Sequence, residues 1–222
     1  MMRAIKFLLK LAVYFILITV AWVGLYAIVP PPVTATMILD ENGITKDWTS
    51  FSDISPNMAR AVIAAEDSKF CSHNGFDTEA IQKAIERNAQ GGRLRGGSTI
   101  SQQVAKNAFL WQGGGFFRKG LEAYFTFLIE TIWSKKRIME VYLNIAETGI
   151  GTYGVQAGAQ RYFRKDARDL TGIEAARIAA ALPLPKKRAV NGASGFTRRY
   201  GNTIAARINV VKNEKLDSCI YK

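Results

Sequence analysis

Three stretches of this chain gather groups able to move protons or hold negative charge. The first is EDSKFCSHNGFD, Glu66 to Asp77, which opens on adjacent carboxylates and contains the chain's single histidine, His73. A positioned carboxylate can act as a general base toward a hydroxyl. Taken alone, Glu66 reads as a solvated residue at a helix end. His73 reads as structural, because no neighbour in sequence orients it. The second stretch is RGGSTISQQVAKN, Arg95 to Asn107. Gly96 and Gly97 allow close backbone approach, and Ser98 can cap a helix whose free amides favour anions. Gln102, Gln103, Lys106 and Asn107 then place polar groups on successive turns. The third is FFRKGLEAYFTFLIE, in which Glu122, Thr126 and Glu130 recur every four residues and share one helical face. Arg118 and Lys119 precede Glu122 by about one turn, which makes either a salt-bridged turn or a site for an anionic substrate.

The elements that must hold these groups are helical. Ser55-Pro56 is an N-cap followed by proline in the first turn, with Met58, Val62 and Ala65 at helical spacing behind it. Further helical runs are expected near 78–90, 98–111, 118–133, 135–147, 153–164, 171–182 and 197–213. Gly91-Gly92, Gly96-Gly97 and Gly113-Gly114-Gly115 break them, and a mobile loop is expected around 111–117. Phe109, Leu110, Trp111, Phe116 and Phe117 flank that loop, in positions suited to lipid contact or to ordinary core packing. Residues 33–55, after three consecutive prolines, read as a juxtamembrane linker with a short strand at 34–38. The expected class is mainly α.

From Leu11 to Val29 the chain carries no charge. With Phe7 to Leu9 this reaches the roughly 20 residues a membrane-spanning helix needs. Trp22 and Tyr26 suit the far interface. Arg3, Lys6 and Lys10 precede the span, which puts the N-terminus in the cytoplasm and the rest outside, in the periplasm. The span is longer than a signal-peptide core and no small-residue cleavage site closes it, so an uncleaved anchor is expected. Residues 1–32 are thus cytoplasmic terminus and anchor, 33–55 linker, and 56–222 the outer domain.

Thirty Lys and Arg oppose 18 Asp and Glu, a net charge of +12. A basic domain beside a membrane suits anionic head groups or a phosphate-bearing substrate. Nucleic acid is not expected, since the anchor puts the domain on the wrong side of the membrane. Cys71 and Cys219 lack the spacing of a metal or redox pair, and in this compartment they are candidates for a disulfide or for free thiols.

Four motifs occur in order: EDxxFxxHxGxD at Glu66–Asp77, GGSTIxQQ with KN at Gly96–Asn107, RKxxE at Arg118–Glu122, and KxxIxExYLN at Lys135–Asn144. GxGxYG at Gly149–Gly154 and the tract from Tyr162 to Pro183 extend the pattern. Together they closely resemble the family 51 glycosyltransferases, the peptidoglycan transglycosylases, over about residues 35–190. With 222 residues and no room for a transpeptidase domain, the chain resembles the monofunctional biosynthetic type. Where the family usually has Asn-Pro after Leu182-Pro183, this chain has Leu184-Pro185. No role is assigned to the tail beyond about Lys187.

The resemblance implies a lysozyme-like helical domain with a small membrane-associated jaw. It implies polymerisation of lipid II onto a growing lipid-linked glycan strand, with inversion and release of undecaprenyl diphosphate. By resemblance Glu66 is the general base, and Glu122 stands by the oxocarbenium ion or orders the cations. Lys106, Arg118 and Lys119, and more weakly Lys135, would meet the diphosphate; Ser98, Gln102, Gln103 and Asn107 would touch sugar or phosphate. A divalent cation, magnesium or manganese, is an expected assistant, although no ligand spacing demands one. Division or elongation proteins are further expected partners. The competing readings are a lytic transglycosylase or lysozyme-like glycosidase, and an inactive membrane-tethered scaffold. The second and third motifs favour synthesis, since cleavage has no diphosphate to bind.

Overall fold

The computed structural model describes residues 1–89 and 97–221. Arg95 and Gly96 of the second motif, and the Gly91-Gly92 break, lie outside the described residues.

Helix α1 (Met2–Ile28) is apolar on all sides and spans about 40 Å at helical rise. It is long and apolar enough to cross a membrane. Only Thr19 and Val23 of α1 are buried, and both lie in the half nearer the domain. There Trp22 packs edge-on against Phe109 and Phe125, and Tyr26 also meets Phe109. The rings expected at a membrane interface are therefore the seam between anchor and domain.

The rest is mainly helical, as the patterning predicts. Helices α3 (Pro56–Glu66), α9 (Gly172–Ala181) and α10 (Gly195–Asn213) pack on one another. Helices α5 (Ile100–Phe109), α6 (Gly115–Ile132) and α7 (Lys135–Ile145) form a second group, and α1 lies along α6. Met58, Val62, Phe70, Ile100, Ile129, Met139 and Tyr142 are buried in the common core. Helix α8 (Val155–Phe163) touches both groups, through α7 and α9, and α4 (Thr78–Ala89) follows the loop after Glu66.

Start signals are local. Thr99 and Gln102 close a capping box on α5, Thr171 and Glu174 do so on α9, and the Ser134 hydroxyl caps α7. Ser98 is therefore not the cap of α5. Ser55 occupies the cap position of α3, but its hydroxyl donates to Leu170 O at 2.9 Å and makes no cap bond.

The segment 33–55, expected as a linker, is folded onto the domain. Its expected strand at 34–38 is instead helix α2 (Ala35–Ile38), because the Thr34 hydroxyl accepts from Met37 N. Met37 and Phe51 are buried. Strand β1 (Thr45–Lys46) runs parallel to β3 (Thr152–Tyr153), which pairs antiparallel with β2 (Glu147–Gly149), giving the order β1-β3-β2. Cys71 and Cys219 are joined as a disulfide.

The loop after Glu66 lies hard against α6. At Gly75, φ is +89°, and an added Cβ would stand 2.7 Å from Thr126 Cγ2 and 2.9 Å from Glu130 Cγ. Gly113 has a similar φ of +84° but open space around it. Gly113→Ala should cost about 1 kcal/mol for the backbone alone. Gly75→Ala should cost about 2–4 kcal/mol, because strain and overlap add. Denaturant midpoints of the two variants measure the difference; equal losses would mean that the loop does not need its close seat on α6.

Candidate active site

Glu66 is the last residue of α3. Its Oε2 accepts from Gln103 Nε2 at 2.9 Å, and Gln103 in turn receives the Tyr142 hydroxyl at 3.4 Å. Burial pushes the Glu66 carboxyl above its ordinary range, against the Gln103 bond and the charges of Arg188 and Lys106, which draw it back. The neighbouring Asp67 is differently placed. Its carboxylate accepts from Ile100 N at 3.0 Å and from His73 Nε2 at 3.0 Å. Gly75 N donates to His73 Nδ1 at 3.1 Å, so the neutral ring carries its proton on Nε2. His73 is thus structural, as its sequence suggests, but it is firmly oriented: it braces Asp67, a partner six residues away that the sequence did not reveal.

Lys106 comes from the next turn of α5 after Gln103. Burial lowers its pKa, Glu122 raises it, and Arg118 and Lys119 lower it further. Among the described residues its ammonium has no hydrogen bond or ion pair. Glu122, on α6, is buried and already paired: Arg118 Nη1 donates to Oε2 at 2.9 Å, and Lys119 Nζ donates to Oε1. Lys119 also reaches the Ser98 hydroxyl at 3.4 Å. The structure therefore brings together Glu66, Gln103, Lys106, Arg118, Lys119, Glu122 and Ser98, with Asn107 beside Lys106.

Gln103, Lys106 and Asn107 form one wall of a cavity of about 440 Å³. The same cavity is also lined by Asp40, Glu147, Tyr153 and Lys186, of which only Tyr153 falls in a motif quoted above, GxGxYG. Lys186 Nζ donates to Asp40 at 2.8 Å, and with the Tyr153 hydroxyl it holds that carboxyl well below the usual range. Burial raises the pKa of Glu147. In the sequence this part of the cavity was signalled by the GxGxYG motif that holds Tyr153 and by the Leu184-Pro185 departure beside Lys186.

Two expected contacts are used internally instead. Gln102 is buried, and its side chain closes the capping box on Thr99 N at 3.0 Å, so it is turned away from any substrate. Lys135 donates to His73 O at 2.7 Å and to Glu130 at 2.8 Å, and it lies over the Phe70 ring. Its charge is consumed by a carboxylate from the end of α6, which also receives the Ser101 hydroxyl. As for a divalent cation, no group of three or more His, Cys, Asp or Glu suited to one occurs among the described residues. Of the carboxylates at the cation cluster, Glu122 already has both oxygens on cations. This donor set does not fit a resident divalent ion.

The Lys135–Glu130 pair is mostly shielded, with 15% and 7% of the side chains exposed. Lys135→Met should therefore cost about 3–5 kcal/mol by leaving a buried carboxylate unpaired. Adding Glu130→Met should recover most of that loss. Urea unfolding of the single and double variants tests this; additive losses would contradict the pairing.

A positioned carboxylate beside a cluster of partly free cations is suited to activating a hydroxyl while negative charge leaves nearby. Residues 34–212 match the family model described as Transglycosylase. The chain is 48% identical over 217 residues to a biosynthetic peptidoglycan transglycosylase of Caulobacter vibrioides, covering 96% of this chain and 95% of that one. It is 48% identical to one from Shigella boydii, covering 87% and 84%, and 44% identical to one from Bdellovibrio bacteriovorus, covering 91% and 86%. With the match extending over nearly all of the folded domain, this chain belongs to the transglycosylase family.

Proposed function

We propose that this chain is a peptidoglycan glycosyltransferase that polymerises lipid II into glycan strands with inversion. The observation that carries the reading is the Glu66 carboxylate, held by Gln103 one helical turn from the unpaired Lys106 and its neighbours Arg118 and Lys119. A sugar hydroxyl is a poor nucleophile at neutral pH and needs a base; Glu66 takes its proton as the oxygen attacks the anomeric carbon of the lipid-linked strand. The departing diphosphate needs positive charge where its negative charge accumulates. Lys106 supplies it directly, and Arg118 and Lys119 supply it from the turn ordered by Glu122. A divalent cation would arrive on the diphosphate, since the described residues offer it no cage. Strand cleavage by a lysozyme-like route makes no use of this cation cluster.

The finer placement follows from the first helix. Arg3, Lys6 and Lys10 favour a cytoplasmic N-terminus at the inner membrane, with the domain on the periplasmic side. The Cys71–Cys219 disulfide supports that oxidising side. Phe116 and Phe117, 98% and 74% exposed at the start of α6, suit insertion into the same bilayer that carries both lipid-linked substrates. Confinement to one leaflet raises their effective concentration.

With Glu66 as base, activity requires its ionised form. The acid limb of the kcat/KM profile should then lie above the ordinary glutamate range, because burial raises this carboxyl. Glu66→Gln should abolish polymer formation from labelled lipid II. It should also stabilise the fold at neutral pH: a carboxyl whose folded pKa is raised loses stability as pH climbs from its unfolded to its folded value. That gain should vanish in acid. Near-normal polymer from Glu66→Gln, or an acid limb in the ordinary range, would sink the assignment.

Lys106→Met should lower kcat by about 100-fold, as expected on removing a charge that meets the leaving group. Glu122→Gln should lower the rate comparably by releasing Arg118 and Lys119. Single-turnover rates with lipid II measure both, and wild-type rates in either variant would reduce that residue to a structural ion.

A further inference from the structure

The residues after Pro185 lie beyond the short motifs quoted above, although the family match runs to residue 212, and they are tied to the segment that presents Glu66. Three connections bracket that residue. Ahead of it, Arg60 Nε bonds the buried Asp217 at 2.7 Å, and the Arg60 guanidinium covers the Tyr221 ring. Behind it, Cys71 is bonded to Cys219, whose backbone N–H also points at Cys71 Sγ. Immediately beside it, the Tyr200 hydroxyl donates to Ala65 O at 2.9 Å.

The third connection is the most informative. Ala65 O belongs to the last turn of α3, where carbonyls have no partner within the helix. Ala65 O and the Cα of Glu66 lie in one rigid peptide plane. Fixing that oxygen fixes the plane from which the Glu66 side chain departs. Tyr200 is itself held: its ring stacks on Phe196 at 5.6 Å, and Phe196 lies under the Arg188 guanidinium at 5.1 Å. Arg188 is anchored on Ala180 O at 2.7 Å, and its charge acts on Glu66. One continuous stack therefore reaches Glu66 both through the backbone and through the field. None of Tyr200, Phe196, Asp217 or Cys219 lines the cavity that holds Gln103, Lys106 and Asn107.

We infer that α10 and the tail after it position the proposed base: Tyr200, supported by Phe196, holds Glu66 at its proton-transfer geometry, while Asp217 and the Cys71–Cys219 disulfide fasten the tail on either side of Glu66. This rests on the reading of Glu66 as the base. Tyr200 and Asp217 act through α3 and touch no substrate.

The test uses the full chain in detergent with labelled lipid II, comparing wild type, Tyr200→Phe and the Cys71→Ser/Cys219→Ser pair. Tyr200→Phe keeps the stacked ring and removes only the hydroxyl. It should lower kcat by about tenfold to 100-fold, the scale of a small misplacement of a reacting group, with KM unchanged. Its acid limb should move to lower pH as the loosened carboxyl gains water. The cysteine pair should show the same two changes with a lower Tm. If that pair fails to fold, Tyr200→Phe decides alone. A folded Tyr200→Phe with wild-type kcat and acid limb would overturn the inference, as would a loss confined to KM or one matching the unfolded fraction. An active Glu66→Gln would instead remove the base assignment itself, whatever Tyr200→Phe did.

Discussion

A carboxylate at the carbonyl end of a helix sits against the local field, and this site depends on keeping one there. The last carbonyls of α3 carry partial negative charge, and burial adds to the cost of ionising Glu66. The adjacent Asp67 shows what full compensation looks like, with a backbone amide and an imidazole N–H committed to it. Among the described residues Glu66 has one side-chain donor, Gln103. Two neighbouring carboxylates are thereby given different work. Asp67 is a brace held by Ile100 N and His73, and Glu66 is the carboxylate proposed to accept a proton.

The cations are organised by the same contrast. Arg118 and Lys119 would repel each other on one turn, and buried Glu122 holds them in place. Lys106 lies within the field of this group and, among the described residues, has no carboxylate paired to it. Its lowered pKa records the burial and the neighbouring cations acting together, and an incoming diphosphate would relieve both. The unsatisfied charge is thus stored on one residue, next to the base and along the cavity.

Much of this was legible in the sequence because the residues stand in short ordered motifs on helices. Glu66, Lys106, Arg118, Lys119 and Glu122, all singled out from those motifs, lie in one region of the structure. The errors came where a side chain's partner is distant or where two neighbours compete for one task. Ser98 and Thr99 are both competent caps, and the structure uses Thr99, which recruits Gln102 and removes it from the site. Lys135 resembles a phosphate contact until Glu130 and His73 O are folded against it. Segment 33–55 looks like linker because its strand is two residues long and pairs with residues about a hundred positions away. The tail is silent in motif terms, since Tyr200 and Asp217 act on a backbone carbonyl and an arginine that no local pattern announces.

The seam between α1 and the domain is hydrogen-bonded as well as apolar. Trp133 Nε1 donates to Val23 O at 2.8 Å, and Arg137 donates to Tyr26 O and Val29 O at 2.9 Å each. Tyr124 meets the Thr19 hydroxyl at 2.7 Å, and Lys46 grips Pro32 O at 2.8 Å. A helix that merely tethered its cargo would let the domain swing through a cone above the bilayer. Bonds at this many points would make α1 and the domain tilt together. In a bilayer, a change of thickness that altered the tilt of α1 would therefore re-aim the cleft as well.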